Sequence, residues 1–519
     1  MILKETKATC RSISIELENT SCVYAPFDYE VYVNNTLVIR QTNKNVISLF
    51  DLCPSTSYDI CIKQTKTQEV LEFSVTTKAE SVRLNVQSFG AKGDGKQLDS
   101  IYIQAAIAAC PQHGTVYIPK GNYVCTPIFL KSDITLELDE HAVLLGHTDR
   151  LLYPILPGYT MTSDEKDEYY LGTWEGNPLD SFASLITGIN VENVAIIGRG
   201  TLNGNGCESD WWQEPKRRRG AWRPRTLFLN QCNHIMVHGI TVKNSPSWTV
   251  HPYFSSHLEF VDMHIENPKD SPNTDGLDPE SCDHVEIIGV HFSVGDDCIA
   301  LKAGKLYMGK KRKTPSKDIT IRNCHMQHGH GAVVIGSEMS GGVWDVCVER
   351  CIFEKTDRGL RIKTRRGRGE QGRIDNIIFR NIQMEQVLTP FVMNMFYFCD
   401  PDGKTEYVWS KEKLPVTQET PYLGQFLFEN IHCNNSHVAA GFFAGLPEQP
   451  IEKIHMKNVF VGFSEEATKE VPAMMSFIEP VTKQGIVAQY VSELILEQVD
   501  MQGIIGEKYT MEQVDTLRH

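Results

Sequence analysis

Short apolar runs that alternate with polar residues recur along most of the chain beyond about residue 130. Each copy has a polar pair, a short alternating strand, a turn and a second strand. The clear copies begin at residues 193, 234, 257, 284, 318, 345 and 376, and weaker copies begin at 426 and 453. From Ile235 to Ile377 the first apolar positions are separated by 23, 27, 34, 27 and 31 residues. Short strands at this period, with no long helix pattern between them, predict the coils of a parallel β-helix.

The leucine-rich repeat is the rival architecture at this period. Its Leu-x-x-Leu-x-Leu pattern is missing from the chain. We therefore expect an all-β fold in which a right-handed parallel β-helix, a solenoid, occupies residues 82–519 and bears the chemistry.

Residues 1–80 show a different pattern. Alternating runs at 13–17 and 29–33 are separated by turn residues, as in a small antiparallel sandwich. Tyr58 follows a turn that contains Pro54, which resembles the tyrosine corner of fibronectin type III domains. We predict a fibronectin type III-like β-sandwich over residues 1–80 that acts as a spacer or docking domain, with a linker near residue 79.

The start of the second domain carries a glycine-rich turn, FGAKGDG, at residues 89–95. No Gly-Lys-Ser/Thr follows at the spacing of a phosphate-binding loop, so a nucleotide site is not indicated. Asp99 or Ser100 can cap a helix that runs through Ala108, and a strand begins at Thr115. A capped helix before a series of strands fits the cap that a solenoid needs at its end.

Composition narrows the function classes. The chain has 519 residues, 41% hydrophobic and 22% charged, which excludes wholesale disorder. The net charge of −14 argues against a nucleic-acid partner, despite the basic run at residues 216–219. The chain has no stretch of about 18 apolar residues, so we expect no membrane span.

The fifteen cysteines are an odd number spread along the chain, which favours free thiols in a reducing compartment. Cys347 and Cys351 lack a second ligand pair at zinc spacing, and no metal or cofactor is expected. The N-terminus shows no secretory leader, so we expect a cytoplasmic protein, or a secreted or periplasmic one if a leader was removed.

Four polar clusters interrupt the repeat at residues 273–276, 295–297, 329–331 and 361–363. Measured from the first apolar residue of its coil, Asp275 stands at +17, Asp296 at +11, His330 at +11 and Arg361 at +15. Because neighbouring strands stack about 4.8 Å apart, residues at similar offsets are expected to gather on one face.

Such a patch can cleave a glycosidic bond. Two carboxyl groups in different environments can act as general acid and general base, and crowding of like charges keeps a proton on one of them. Arg361 and Lys363 can hold an anionic sugar by its carboxylate, and His330 can tune the acid. A single Asp in a loop is usually a turn residue. Four clusters in consecutive coils are harder to explain that way.

The combination Asn-Thr-Asp, Asp-Asp, Gly-His-Gly and Arg-Ile-Lys resembles the signature of glycoside hydrolase family 28, the polygalacturonases, over roughly residues 82–510. The resemblance implies hydrolysis of α-1,4 links between galacturonic acid units with inversion and without a metal. It implies that Asp296 is the general acid, that Asp275 and Asp297 hold and activate the water, and that His330 supports the acid.

The same resemblance implies that Arg361 and Lys363 bind the substrate carboxylate, and we add Asn273 and Lys302 as candidate substrate contacts. Gly295 departs from the Gln that many endo-acting members carry before the Asp pair. The sequence around the motifs resembles that of bacterial exo-acting members more closely. Further arginines follow Lys363 near the expected cleft. Insertions near 147–180 and 397–420 are candidates for walls that close one end of the groove.

A closed groove and a cytoplasmic location both favour an enzyme that trims imported oligogalacturonides from an end. A pectate lyase is a rival that would need a calcium-binding carboxylate cluster and a basic catalyst. The Asp set could bind calcium in principle, but the order of the motifs argues against a lyase. A rhamnogalacturonan hydrolase usually departs from the His and Arg-Ile-Lys motifs that are present here. A β-helix that only binds sugar would not need the stacked carboxylates with their flanking cations.

Overall fold

The computed structural model of the protein describes residues 1–518. Its main body is a solenoid in which parallel strands of successive coils pair in register and form three ladders. The first ladder contains the strands Arg83–Asn85, Gly114–Ile118, Ile134–Leu138, Glu192–Gly198, Asn233–His238, Ser256–Val261, Asp283–Ile288, Ser316–Arg322 and Val343–Glu349. The second contains Asp94–Leu98, Gly121–Cys125, Ala142–Gly146, Thr201–Asn203, Thr241–Lys243, His264–Glu266, His291–Ser293, His325–Gln327 and Ile352–Glu354.

The third ladder carries the polar clusters. Its strands are Ile128–Phe129, Ile186–Ile189, Leu227–Asn230, Val250–Tyr253, Asp297–Leu301, Gly331–Gly336, Arg358–Lys363, Thr389–Asn394 and Ala439–Ala444. Longer strands run from one ladder into the next at the C-terminal end: Arg373–Glu385, Gln425–Ser436, Ile451–Phe463, Gln484–Gln502 and Tyr509–Arg518. The expected right-handed parallel β-helix is confirmed.

The repeat read from the sequence is the first ladder. Ile235, Leu258, Val285, Ile319 and Val346 occupy one register position in successive coils. All five are buried and belong to one continuous apolar core that runs along the solenoid. Burial on this scale is the main favourable contribution to folding, because each coil covers the apolar face of its neighbour.

The polar residue that opens each copy has a backbone reason. Asn193, His234, His257, His284 and Asp318 all have φ between 52° and 56°. Asn, Asp and His tolerate this left-handed conformation better than other residues with a Cβ atom. The polar pair therefore marks the turn into each strand of the first ladder.

Two small antiparallel sheets form the N-terminal sandwich. One contains Ile2–Ala8, Ile13–Glu18 and Val46–Leu49, and the other contains Tyr24–Val33, Thr36–Lys44, Ser57–Gln64 and Val70–Thr76. The Cys53 N–H donates to the Tyr58 hydroxyl over 2.7 Å, which is the type of bond that a tyrosine corner makes. The expected small sandwich is confirmed.

The sandwich packs against the outer side of the first ladder. Glu16 accepts hydrogen bonds from Arg322 at 2.7 Å and from Arg350 at 3.0 Å, and all three side chains are buried. Val46 packs with Met236, Val261 and Ile288 in the same interface. The sandwich is thus joined to the solenoid through buried groups on the side away from the polar clusters of the third ladder.

The helix Ser100–Ala109 follows the glycine-rich turn, as predicted. Asp99 occupies its N-cap position, but its side chain makes no capping bond. The carboxylate instead accepts the N–H groups of Lys92 at 2.9 Å and Gly93 at 3.0 Å, so it holds the FGAKGDG turn rather than the helix end.

The remaining elements are short. The other α-helices are Leu306–Arg312 and Glu406–Trp409, and the 3-10 turns are Val86–Phe89, Arg150–Leu152 and Pro401–Lys404. Short strands lie at Ile155–Leu156, Thr160–Met161, Glu168–Tyr169, Ser181–Phe182 and Tyr422–Leu423. Within residues 1–518, every helix is too short or too polar to span a bilayer.

Candidate active site

The polar clusters at 295–297 and 329–331 lie where strands of the third ladder begin. The cluster 273–276 precedes the bridged segment 277–280, and the cluster 361–363 ends the strand Arg358–Lys363. Asp297 is the first residue of its strand, and it pairs in register with Gly331, which directly follows His330. Gly329 has φ of 93°, and a Cβ atom there would lie 2.5 Å from the Asp296 carbonyl oxygen. The glycine of the Gly-His-Gly cluster therefore lets His330 approach the Asp pair of the preceding coil.

Asp275, Asp296 and Asp297 converge. One carboxylate oxygen of each lies within 4.8 Å of the other two. Asp297 is fully buried, and its two oxygens contact Lys363 Nζ at 2.6 Å and Arg361 Nη1 at 3.3 Å. Burial raises the pKa of Asp297, but Lys363 and Arg361 more than offset this and bring it down to about 2. Asp297 is therefore ionised at neutral pH.

The other two carboxyl groups behave in the opposite way. Burial and the neighbouring Asp297 raise the pKa of Asp296 above its usual value. Burial and Asp296 raise the pKa of Asp275 well above its usual range. Asp296 is partly exposed whereas Asp275 is buried, so Asp296 is better placed to reach a bound ligand. One wall thus offers an ionised carboxylate, Asp297, beside two carboxyl groups whose pKa values are raised, and such opposed shifts suit acid–base catalysis.

The three carboxyl groups lie closer together than expected. Inverting glycosidases usually separate the acid and base by about 6.5–9.5 Å, and retaining enzymes by about 5–5.5 Å. The nearest oxygens here are within 4.8 Å. This distance does not distinguish inversion from retention. It joins the nearest oxygens, and the second oxygen of each carboxyl group can still face the cleft.

His330 is held by a residue that the sequence reasoning missed. Its Nδ1 atom lies 2.8 Å from Oδ2 of Asp357, one coil further along. This hydrogen bond raises the pKa of His330 above its usual value, and the charges of Asp296 and Asp297 act in the same direction. The imidazole is more than half exposed at the edge of the site, where it can contact a ligand.

Lys302 lies deeper than a substrate contact would require. Its side chain is only 4% exposed, and its ammonium lies 3.3 Å from Glu338, 3.5 Å from Asp278 and 3.6 Å from Asp275. It also lies 4.0 Å above the ring of Trp248. Its charge is therefore directed at carboxylates beneath the site, and substrate binding by Lys302 stays a prediction.

Asn273, the other candidate substrate contact, lies at the edge of the site with φ of 54°. Its side-chain oxygen accepts a hydrogen bond from Arg223 Nη2 over 2.6 Å. Arg223 in turn stacks over Trp174, which lies parallel to Trp222 at 4.7 Å between ring centroids. The insertion near 147–180 thus meets the site through an aromatic wall.

The arginines after Lys363 divide into two groups. Arg365 and Arg368 pair with Asp400 of the insertion near 397–420, and Lys305 pairs with the same carboxylate at 2.9 Å. Arg366 is fully buried against Glu448, so its expected contribution to the cleft charge is wrong. The insertion is therefore fastened beside the site by three cations around one carboxylate.

The basic run at 216–219 is a surface loop with local partners. Arg217 pairs with Glu214, Arg218 with Asp180 and Arg219 with Asp210. These pairs neutralise much of the charge that a ligand would otherwise meet.

Among residues 1–518, two groups of side chains have the geometry of a cation site. Asp275, Asp296 and Asp297 form one, but Lys302, Arg361 and Lys363 already supply positive charge among them. Asp283, His284 and Asp318 form the other on the surface, where Lys317 lies 3.3 Å from Asp283. The expectation that no metal is needed stays a prediction.

Sequence reasoning also missed a buried shell of acids beneath the site. Asp278, Glu280 and Glu338 are all buried. Burial raises the pKa of Asp278 to about 7 and that of Glu280 to about 8. The only signal in the sequence was position, since Asp278 and Glu280 follow the Asn-Thr-Asp cluster at alternating positions.

Known proteins resemble the chain in sequence. The family model described as Glycosyl hydrolases family 28 matches residues 136–420, and one described as Rhamnogalacturonase A/epimerase, pectate lyase-like, matches residues 83–137. A Vitis vinifera protein named probable polygalacturonase is 32% identical over 80% of this chain and 81% of its own. An exo-poly-alpha-D-galacturonosidase of Dickeya chrysanthemi is 27% identical over 65% of this chain and 61% of its own.

Solved structures resemble the chain in fold. The family 28 exopolygalacturonase of Yersinia enterocolitica superposes with a TM-score of 0.71 at 20% identity over 99% of both chains. The hyperthermoactive exopolygalacturonase of Thermotoga maritima gives 0.65 at 24% identity, over 81% of this chain and 92% of that one. With its model matched over more than half of the chain and with the grapevine relative, the chain belongs to glycoside hydrolase family 28.

Proposed function

We propose that the protein is a polygalacturonase that hydrolyses α-1,4 bonds between galacturonic acid units. The observation that carries the proposal is the convergence of three carboxyl groups within 4.8 Å, flanked by Arg361, Lys363 and His330. Carboxyl groups with opposed pKa shifts supply an acid and a base, and the neighbouring cations suit a sugar that carries a carboxylate. The names of the sequence relatives support the same substrate class.

In the proposed mechanism Asp296 protonates the leaving oxygen. Asp275 and Asp297 hold the water, and Asp275 accepts its proton as the water attacks the anomeric carbon. His330, charged through its bond to Asp357, binds the substrate near Asp296. Asn273, Arg361 and Lys363 contact the sugar, and the pair of cations also keeps Asp297 ionised.

We propose exo action on oligogalacturonides. Lys305 links the two insertions, because its ammonium lies 2.9 Å from Asp400 and 3.8 Å from Glu175, the residue after Trp174 of the Trp174–Trp222 stack. Together they can close the groove beyond the site, so that only a chain end fits. The name of the Dickeya relative supports exo action. A cytoplasmic location stays a prediction.

Chromatography of digests of polygalacturonate and short oligogalacturonides tests the proposal. Wild type should release saturated mono- or digalacturonate from the outset, and Asp296→Asn should lower kcat by about 10²–10⁴-fold. A series of oligomers of mixed length would contradict exo action. An unsaturated, ultraviolet-absorbing product would identify a lyase. If neither substrate is cleaved, rhamnogalacturonan becomes the next substrate to try.

Nuclear magnetic resonance of the same digest reads the anomer of the first product. Inversion of the α-linkage gives the β-anomer, which is the outcome we expect from the family resemblance. A first product in the α form would show retention, which the short distances between carboxylate oxygens would then explain.

A further inference from the structure

Asp278 lies directly beneath the site, in a place that no step of the proposed mechanism uses. It belongs to the segment 277–280, which bridges Val250–Tyr253 and Asp297–Leu301 in the third ladder. The side chain is fully buried. Within residues 1–518 neither carboxylate oxygen accepts a hydrogen bond from an N–H group or a hydroxyl.

The charges around Asp278 do not balance if every acid is ionised. A single ammonium in the described part of the chain, that of Lys302, contacts Asp275, Asp278 and Glu338 together, at 3.6, 3.5 and 3.3 Å. Buried like charges without full compensation are costly, and such a group takes up a proton instead. Lys302 and Lys305 together keep Glu338 ionised despite its burial. The proton therefore falls to Asp275 or Asp278.

Which of the two carries the proton matters for chemistry. Lys302 Nζ lies 3.6 Å from Asp275 and 3.5 Å from Asp278, so the two carboxyl groups share one cation and act on each other. Asp278 is the more deeply buried of the two, and among residues 1–518 both of its oxygens lack a donor. If Asp275 held it, Asp275 could not accept a proton from water. If Asp278 holds it, the O–H donates to the Asp275 carboxylate and stabilises the ionised form.

We propose that Asp278 is a positioning residue that carries the shared proton and thereby keeps Asp275 ionised as the acceptor of the water proton. The inference rests on the proposed hydrolytic function and extends it by one residue. As the water oxygen bonds to the anomeric carbon, its proton moves to Asp275. The glycosidic C–O bond breaks, and the proton of Asp296 goes to the leaving oxygen. The proton on Asp278 stays in place throughout.

Several ionisable groups face Asp278 from the elements packed around it. Those that act on its charge come from its own segment and from the neighbouring coils: Asp275, Glu280, Arg225, Asp296, Asp297 and Lys302. Behind them, His251 is bonded to Glu280, and Glu338 is paired with Lys302. More of these groups are negative than positive, so the surroundings favour the neutral form of Asp278.

Two substitutions separate this role from a structural one. Asp278→Asn keeps a donor toward Asp275, so kcat should fall less than tenfold. Asp278→Ala removes the donor and leaves the proton to Asp275, so kcat should fall about a hundredfold or more. If Asp278 were simply an ionised partner of Lys302, both substitutions would remove the same charge. Equal losses in the two variants would overturn the proposal.

The pH profile gives a readout that a structural role would not move. As pH rises, ionisation of Asp278 places a second negative charge beside Asp275 and ends the donated hydrogen bond, so wild-type kcat should fall. Asn does not titrate, so the alkaline limb of Asp278→Asn should move to higher pH. Glu280→Gln, which removes a buried carboxyl group bonded to His251, is the matched control and should leave that limb in place.

Infrared difference spectra test whether Asp278 carries a proton, and they require no substrate. At neutral pH the wild type should show the stretching band of a protonated carboxyl group. Asp278→Asn should lose this band, and Glu280→Gln should keep it at the same position. Its absence from the wild type would refute the shared proton. If the band is present but no galacturonan is cleaved, the proposed function fails and the protonated Asp278 stands.

Discussion

The charge state of His330 depends on one neighbour. The carboxylate of Asp357 lies 2.8 Å from Nδ1 and holds a proton on the ring, which raises the pKa of His330. Raising the pKa means that the charged imidazole persists to higher pH than an unperturbed histidine would. Since His330 contacts the edge of the site beside Asp296, this charge is available to an anionic substrate.

We predict that Asp357→Asn lowers the pKa of His330 and weakens substrate binding. The amide keeps the position but not the negative charge, so the ring loses its proton at lower pH. As pH rises, KM should therefore begin to increase at a lower pH than in the wild type. Resonance titration of ¹³C-labelled histidines, assigned with His330→Gln, measures the pKa directly. An unchanged His330 titration in Asp357→Asn would show that Asp296 and Asp297 alone set the charge.

These residues also show how far the sequence could predict the site. Asp296 and His330 share the offset of +11, and the structure places them on the same turn of adjacent coils. Asp275 stands at +17 because its coil is longer before the third ladder, whereas Arg361 stands at +15 because it lies further along its strand, opposite Val334. The offsets therefore predicted that these residues share one face of the solenoid, but not which residues they contact. Asp357 and Glu338 reach the site only through contacts between coils, for which one sequence carries no signal, and Asp278 gave no signal beyond its place after Asp275.

At the scale of elements, the repeat was predictable because the core imposes it. Apolar positions such as Ile235 and Leu258 must stack, and the left-handed turn before them favours Asn, Asp or His. The insertions obey neither constraint. Their positions could be predicted from the interruption of the repeat, but their attachment to Lys305, Arg365 and Arg368 through Asp400 could not.

That attachment predicts the effect of releasing the insertion. Asp400→Ala leaves Lys305, Arg365 and Arg368 without their common carboxylate, so the wall that closes the groove should loosen. On polygalacturonate we expect mixed oligomers to appear among the early products, with activity on short oligogalacturonides changed less than fivefold. Asp402→Ala, which removes a mostly exposed partner of Arg365 alone, is the control. An unchanged product pattern in Asp400→Ala would place the closure elsewhere.

At the scale of the whole molecule, the N-terminal sandwich and the solenoid are joined by buried charge. The sequence predicted a spacer or docking domain at residues 1–80, but not where it docks. Glu16 contacts Arg322 and Arg350 in the interface, and Asn45 Nδ2 donates to Asn323 over 3.0 Å beside them. The side-chain partners of Glu16 lie across the interface, so separation of the two parts would leave a buried carboxylate without them, which is costly.

We predict that Glu16→Gln lowers the free energy of unfolding by about 3 kcal/mol or more, because it leaves two buried guanidinium groups without their shared carboxylate. Glu18→Gln is the control, since Glu18 is 40% exposed and its pairs should contribute less than about 1 kcal/mol. Denaturant titration followed by circular dichroism and tryptophan fluorescence measures both. All seven Trp residues lie beyond residue 80, so fluorescence reports the solenoid. A Glu16→Gln protein whose fluorescence midpoint equals that of wild type would show that the solenoid does not depend on the sandwich.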